Sequence, residues 1–239
     1  MIRELLPPWV VAVETGEDPA DAWLYPQEAA VVRGAVDARR REFTTVRHCA
    51  RAALRELGVE RRPLLPGPRG APLWPPGVVG SMTHCAGLRA AAVSLRRHAA
   101  SIGIDAEPGE PVPPGILRAI ASPREQRHVD DLLERIPGVR WDRLLFSAKE
   151  AVYKAWFPLT GRRLDFPDAS VEFDPGTGTF LARTAVTGGR EPRYFSGRWG
   201  AGSGLLATVV TVPAWRVRPE VSARGAGEEA GQGRAGAHA

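Results

Sequence analysis

The sequence predicts a mixed α/β (α+β) fold of two similar-sized lobes, each with helices packed on a small antiparallel sheet. Three observations carry this. Apolar residues recur with helical spacing in two long segments, one in each half of the chain. Short runs rich in Val, Ile and Thr accompany them, joined by Gly-containing turns that suit hairpins. A loose Pro-rich stretch over residues 108–115 separates the halves. The lobes are therefore expected at 1–108 and 109–218, with a tail at 219–239.

Residues 9–13, Trp-Val-Val-Ala-Val, read as a short strand. A helix is expected from Pro26 to Val36, with proline in its first turn. A second follows, with Asp37 as its N-cap and Gly58 closing it after Leu57. Along it Phe43, Val46, Ala50, Ala53, Leu54 and Leu57 form an apolar stripe with arginines beside it. Residues 62–77 form a Pro- and Gly-rich loop. Residues 78–84 and 90–95 read as strands turned at Cys85-Ala86-Gly87, and residues 101–105 as a third strand stopped by Pro108. Ser122, Pro123 and Glu125 make a helix start, with a capping serine and a glutamate three residues on. A strong helical segment covers 142–157. Two hairpins complete the pattern. The first pairs 170–173 with 179–186, and the second pairs 193–199 with 204–212 across Gly200-Ala201-Gly202-Ser203. Beyond Pro219 the chain has almost no large apolar residue and reads as a disordered tail.

The 239 residues are 44% hydrophobic, which supplies a core, yet no apolar run approaches the roughly 20 residues of a membrane helix. The start Met1-Ile2-Arg3-Glu4-Leu5-Leu6 lacks a secretion-signal core, so a cytoplasmic protein is expected. Cys49 and Cys85 show no metal-binding spacing and read as two buried thiols in a reducing compartment. A net charge of +5 favours an anionic partner. A nucleic-acid binder fits poorly: there is no aromatic RNA platform, zinc spacing or helix-turn-helix signal, and the basic residues are spread along the chain.

Three segments hold groups fit for chemistry. Asp105 and Glu107 follow a hydrophobic strand, and carboxylates two apart in an extended chain point the same way. Such hard oxygen donors suit magnesium, although taken alone the pair reads first as part of a solvated loop. Glu150 and Lys154 stand four apart in the segment Phe146–Lys154, on one helix face. They read either as an exposed ion pair or, given apolar flanks on both sides, as a buried set that engages a polar ligand. Gly80-Ser81-Met82-Thr83-His84 ends a strand with small and hydroxylic residues that can donate to a phosphate; His84 alone reads equally as a satisfied core histidine. Cys85 beside His84 is a poor nucleophile–base pair, since neighbours in a strand face opposite ways.

Taken together these segments resemble one family. WPPGVVGSMTH, SIGIDAEP and FSAKEAVYKAW resemble, in order and spacing, the signatures of the surfactin-synthetase type of 4′-phosphopantetheinyl transferase, in the branch serving siderophore and peptide-antibiotic synthesis. The likeness runs from about Arg39 to Phe173. It implies a monomer whose two halves mimic a dimer, related by a pseudo-twofold axis. It implies transfer of 4′-phosphopantetheine from coenzyme A to a serine of an apo carrier protein, with release of 3′,5′-ADP. By the same resemblance Asp105, Glu107 and Glu150 are the ligands of Mg2+, or of Mn2+ in its place. Lys154 contacts the phosphates and, with Glu150 as candidate base, forms the catalytic pair. His84 meets the 3′-phosphate, with Ser81 and Thr83 on the same strand end. Arg69, Arg40, Arg47 and Arg51 are the basic residues directed to the nucleotide, and Lys149, inside the same signature, is counted with them. Arg39 and Arg41 read at least as well as part of the solvated face.

Carrier proteins are typically acidic near the modified serine, and a basic enzyme attracts them over long range. Residues 109–122, with Ile116, Leu117 and Ile120, are the expected docking region; a helical turn covering the core is the other reading. The rival activity is a magnesium-dependent nucleotide phosphohydrolase, which has no use for the Trp74-Pro75 loop or a carrier surface.

Overall fold

The computed structural model describes residues 1–186 and 192–217; the tail expected from residue 219 onward lies outside them. In chain order the elements are α1 (Ile2–Leu5), β1 (Val11–Thr15), α2 (Pro26–Val31), α3 (Asp37–Glu56), β2 (Val78–Cys85), β3 (Leu88–Leu95), β4 (Ala99–Pro108), α4 (Ile116–Ile120), α5 (Pro123–Arg135), α6 (Trp141–Thr160), β5 (Ala169–Asp174), β6 (Thr179–Thr184), β7 (Tyr194–Gly202) and β8 (Leu205–Pro213). A three-stranded antiparallel sheet has the order β1-β3-β2, and a five-stranded antiparallel sheet the order β4-β8-β7-β6-β5. The expected mixed fold of helices on small antiparallel sheets is the observed one.

Each sheet carries one 20-residue helix. The apolar stripe of α3 is realised: Cys49, Ala50, Ala53 and Leu54 are buried against Ala91 and Val93 of β3 and against Leu64. Helix α6 buries Trp141, Leu144, Leu145, Ala148, Ala151, Val152, Ala155 and Trp156 against Val171, Phe173, Phe180, Phe195 and Val210 of the larger sheet. Removing these large side chains from water is the main term holding each half together. A third core lies between the sheets, where Ile102, Ile104 and Ala106 of β4 meet Val79, Ala90 and Ala92.

Several local expectations are corrected. Helix α2 stops at Val31 rather than Val36. Asp37 is the first residue of α3 rather than its cap; its carboxylate takes Arg40 instead of a backbone amide. The second hairpin turns at Ser203-Gly204, with both residues at positive φ, so β7 runs through Gly200 and Gly202. Strand β4 extends to Pro108, so Asp105 and Glu107 lie within it rather than beyond its end. The capping box at Ser122 is present: Ser122 Oγ accepts from Glu125 N at 3.3 Å and Glu125 accepts from Ser122 N at 2.8 Å.

Strand β4 hydrogen-bonds through its backbone only to β8, from Ala99↔Pro213 to Pro108↔Leu205. Its other side faces β2, and here side chains replace the backbone ladder. Ser81 Oγ accepts from Ile104 N at 3.1 Å and Thr83 Oγ1 accepts from Ala106 N at 3.3 Å. The hydroxyls satisfy buried amides that would otherwise be orphaned. The opposite edge, β5, is closed by α5: Val171 N donates to Glu125 Oε1 at 2.8 Å and Phe173 N to His128 Nε2 at 3.2 Å.

Gly103 decides how α6 sits on β4. A Cβ at this position would fall 1.9 Å from the Ala151 carbonyl oxygen and 2.8 Å from Ala155 N, both helix backbone. Only a residue without a side chain admits this approach, and the approach carries Glu150 and Lys154 to the level of Asp105. Gly103→Ala is expected to destabilise the fold by about 3 kcal/mol or more, the upper end for overpacking against unyielding backbone. Gly34→Ala, where nothing stands within 4 Å, is the control and should be near neutral. Denaturant melts of the two variants check this.

Candidate active site

A cleft of about 590 Å³ opens between the halves. One wall is α3, through Arg39, Glu42, Phe43 and Arg47; the second is the loop 66–74; the floor is β2, through Gly80, Ser81, Met82 and His84; the far wall is α6, through Glu150, Tyr153, Lys154 and Phe157. Trp74 closes one end: its indole Nε1 donates to Gly80 O at 3.0 Å. A Cβ on Gly80 would stand 2.9 Å from that ring and 2.6 Å from Ala92 O, so the glycine is what lets Trp74 lie on the strand.

The carboxylates gather around Lys154. Its ammonium donates to Asp105 Oδ1 at 2.7 Å, Ile104 O at 3.1 Å and Thr83 Oγ1 at 3.4 Å. Thr83 in turn donates to Asp105 Oδ1 at 3.2 Å. Asp105 is 4% exposed, and its second oxygen, Oδ2, is buried without a hydrogen-bond partner. Burial, with the neighbouring Asp105 charge, holds the Glu107 carboxyl above the usual carboxylate range, against the Arg143 guanidinium that pairs with it at 3.1 Å. Burial likewise raises Glu150; Lys154 pulls it down and Asp105 pushes it up again. The three acids thus feel one another across Lys154.

Among the described residues no three His, Cys, Asp or Glu side chains stand arranged as a complete metal cage. The acids nevertheless fit a hard divalent cation. One buried and two half-buried carboxyls with only two basic side chains among them leave negative charge uncompensated, and Asp105 Oδ2 is an acceptor with nothing to accept from. Oxygen-only donors are the set that Mg2+ or Mn2+ takes.

At the other end Arg39 Nη1 stands 2.6 Å from His84 Nε2, and Glu42 Oε2 is 3.2 Å from the same nitrogen. Burial lowers the His84 pKa; Glu42 opposes this, while Arg39, Lys154 and Arg89 add to it. Burial thus favours the neutral ring, the form in which Nε2 can accept from Arg39.

The predicted basic residues divide. Arg47, Arg69, His84, Ser81, Glu150 and Lys154 line the cleft. Arg51 does not: it is buried, with Nη1 3.2 Å from Glu28 Oε2 and its guanidinium over the Trp23 ring at 4.5 Å. Glu28 is fully buried and also accepts from Leu64 N at 2.8 Å and Tyr25 N at 2.9 Å, so Arg51 neutralises a structural carboxylate. Arg40 lies on the surface, bound to Asp37 at 2.7 Å. Thr83 is turned under Lys154 rather than into the cleft. Lys149 is consumed by Ile120 O at 2.6 Å, Phe166 O at 2.9 Å and Glu125 at 3.0 Å, beside a separate hollow of about 390 Å³ that also borders Glu150. Burial pushes the Cys85 thiol up to about 11, so it is a thiol and no nucleophile at neutral pH.

Arg39, read from sequence as at least as fit for the solvated face, is exposed as that reading has it, yet it also lines the cleft and reaches His84. The signal was available: Arg39, Phe43 and Arg47 are successive fours on α3 and share a face, and Arg47 stacks on Phe43 at 3.2 Å from the ring centroid. Glu42 and Arg143 were missed, with no local motif to mark them.

A family model described as the 4′-phosphopantetheinyl transferase N-terminal domain matches residues 27–94, and one described as the 4′-phosphopantetheinyl transferase superfamily matches residues 101–209. Over 96% of both chains the sequence is 54% identical to the 4′-phosphopantetheinyl transferase Svp of Streptomyces mobaraensis. It is 45% identical to the 4′-phosphopantetheinyl transferase PptT of Mycobacterium tuberculosis over 83% of this chain and 90% of that one. It is 43% identical to the 4′-phosphopantetheinyl transferase Npt of Nocardia iowensis over 88% and 99% respectively.

The division among the arginines predicts opposite outcomes for two of them. Arg51→Ala removes the nearer of two guanidiniums from Glu28, leaving Arg47 at 3.8 Å, and should cost about 3 kcal/mol of stability, the low end for breaking a buried pair. Arg40→Ala removes a surface contact and should leave the melting curve almost unmoved.

Proposed function

We infer the reaction of this cleft from its lineage: the chain belongs to the 4′-phosphopantetheinyl transferase superfamily. It is a transferase that moves the 4′-phosphopantetheine of coenzyme A onto a serine of a carrier protein and releases 3′,5′-ADP. We propose that the cleft between α3, β2 and α6 is where this occurs. The observation that carries the proposal is the joining, in one cleft, of a cationic end at Arg39, Arg47 and His84 with Glu150 and Lys154, whose ammonium holds the buried Asp105 carboxylate just behind the wall.

The residues divide the work. Arg39, Arg47, Arg69 and His84 take the anionic nucleotide end of coenzyme A, where guanidinium groups match phosphate oxygens. Asp105, Glu107 and Glu150 would hold Mg2+ or Mn2+. The ion, when bound, offsets negative charge growing on the pyrophosphate as its P–O bond to the 3′,5′-ADP breaks. Lys154, already a donor beside Asp105, adds positive charge on the same side. The serine hydroxyl must lose its proton as its oxygen attacks phosphorus. Glu150, on the α6 wall of the cleft, is the candidate base.

The net charge of +5 supports an acidic carrier drawn in over long range. Of the expected docking residues, Ile120 is buried while Ile116 and Leu117 pack partly on the core of the second half. They form a turn covering the core; we place carrier contact on its outer side. One chain supplies both walls of the cleft, α3 with β2 on one side and α6 on the other, which supports a monomer. No described helix is long and apolar enough to cross a membrane, and we assign the enzyme to the cytoplasm.

Incubation with coenzyme A, Mg2+ and an apo carrier protein should raise the carrier mass by the phosphopantetheine increment. Glu150→Gln should abolish that gain while coenzyme A binding survives better than activity; equal loss of both would make Glu150 structural only. Coenzyme A hydrolysis without a mass gain would favour the phosphohydrolase.

His84 yields a pH test. In the free chain its pKa lies below 6.5, so the ring is mostly neutral at pH 6.5. A phosphate dianion beside it favours the charged form and raises that pKa. Binding should then take up a proton near pH 6.5, with the uptake fading toward pH 8 and absent in His84→Gln. Calorimetry in buffers of different ionisation heat measures it.

A further inference from the structure

Arg143 lies in the first turn of α6, away from the cleft lining, and all three arms of its guanidinium are used. Nη1 donates to Glu107 Oε2 at 3.1 Å, Nε to Glu110 O at 3.1 Å and Nη2 to Pro111 O at 2.8 Å. The neighbouring Asp142 accepts from Val112 N at 2.9 Å, so the same helical turn grips residues 110–112 from both polarities. One rigid group therefore joins a carboxylate of the acidic cluster to the segment that leaves β4. The fork geometry matters: five donors in a fixed plane can serve three acceptors together, which a lysine ammonium on a flexible stem cannot do with the same directions.

We infer that Arg143 is a positioning residue that sets the direction of the Glu107 carboxylate and couples it to the path of residues 110–112. The inference rests on the reading of Asp105, Glu107 and Glu150 as ligands of a divalent cation. Arg143 engages Oε2, fixing the rotamer of Glu107 from behind. Groups that orient a ligand in this way strengthen metal binding without touching the metal. Coupling of this kind is reciprocal: whatever orders residues 110–112 tightens the cation, and the cation orders the segment.

The test uses the full chain and Mn2+ as probe, with free ion measured by its paramagnetic resonance. Arg143→Ala is expected to weaken Mn2+ binding about tenfold and to speed amide exchange across 109–112. In wild type Mn2+ should slow exchange in that segment, and in Arg143→Ala it should not. Arg143→Lys keeps the charge and should lie nearer to Arg143→Ala than to wild type; it carries the test if the alanine variant fails to fold. Wild-type Mn2+ affinity in the folded variants, or a loss confined to melting temperature, overturns the inference. Glu107→Gln separates it from its foundation. If that variant binds Mn2+ more weakly while the Arg143 variants do not, only the positioning role is wrong. If Glu107→Gln also binds as wild type, the assignment of Glu107 as a ligand fails first.

Discussion

Helix α6 lies against strand β4 with backbone touching backbone, and the rest of the molecule follows from that approach. Only a missing side chain at residue 103 allows it. Once α6 is down, Ser101 Oγ reaches Ala155 O at 2.8 Å, and Lys154 reaches the Asp105 carboxylate and the Ile104 carbonyl. Catalytic constellations need placement to a fraction of an ångström. Here that placement is delivered by two regular elements rather than by loops, so its accuracy comes from packing.

The same contact concentrates charge in a region shielded from water. Isolated carboxylates inside a fold are costly, and this fold keeps its acids only where a cation stands near. Lys154 serves Asp105, Arg143 serves Glu107, Lys149 serves Glu125, and Arg51 serves Glu28. Two of these pairs are structural and two hold the acids at the end of β4, behind the cleft wall. What separates them is completeness. Glu28 and Glu125 accept from backbone amides as well as from their cations, whereas Asp105 keeps one oxygen unused.

Much of this was readable in the chain. The two long helices, the capping box at Ser122, the hairpins and the order of the acidic and basic segments all follow from periodicity, turn residues and spacing. The failures share one cause: each concerned the direction of a side chain rather than its type. Arg51 and Lys149 have the right charge for a phosphate, yet Glu28, some twenty residues upstream, and Glu125, about as far, claim them from inside. Arg39 was not singled out because a run of three arginines gives no local reason to prefer one, until the face shared with Phe43 and Arg47 is considered. Ser81 and Thr83 looked like phosphate donors; their hydroxyls also bridge β2 to β4, a use visible only once the strands are side by side, and only Ser81 of the two lines the cleft.

The outer margin of β5 has a consequence for the chain in a crowded solution. A bare border strand offers a row of amide donors to any passing segment of extended polypeptide, the usual opening for aggregation. Here Glu125 and His128 already occupy the donors of Val171 and Phe173, and Arg124 ties down Glu172 between them. Helix α5 thus acts as a selvedge. The largest sheet is finished against foreign strands on one side by that helix and on the other by its own first half, and the fold reaches this state without closing into a barrel.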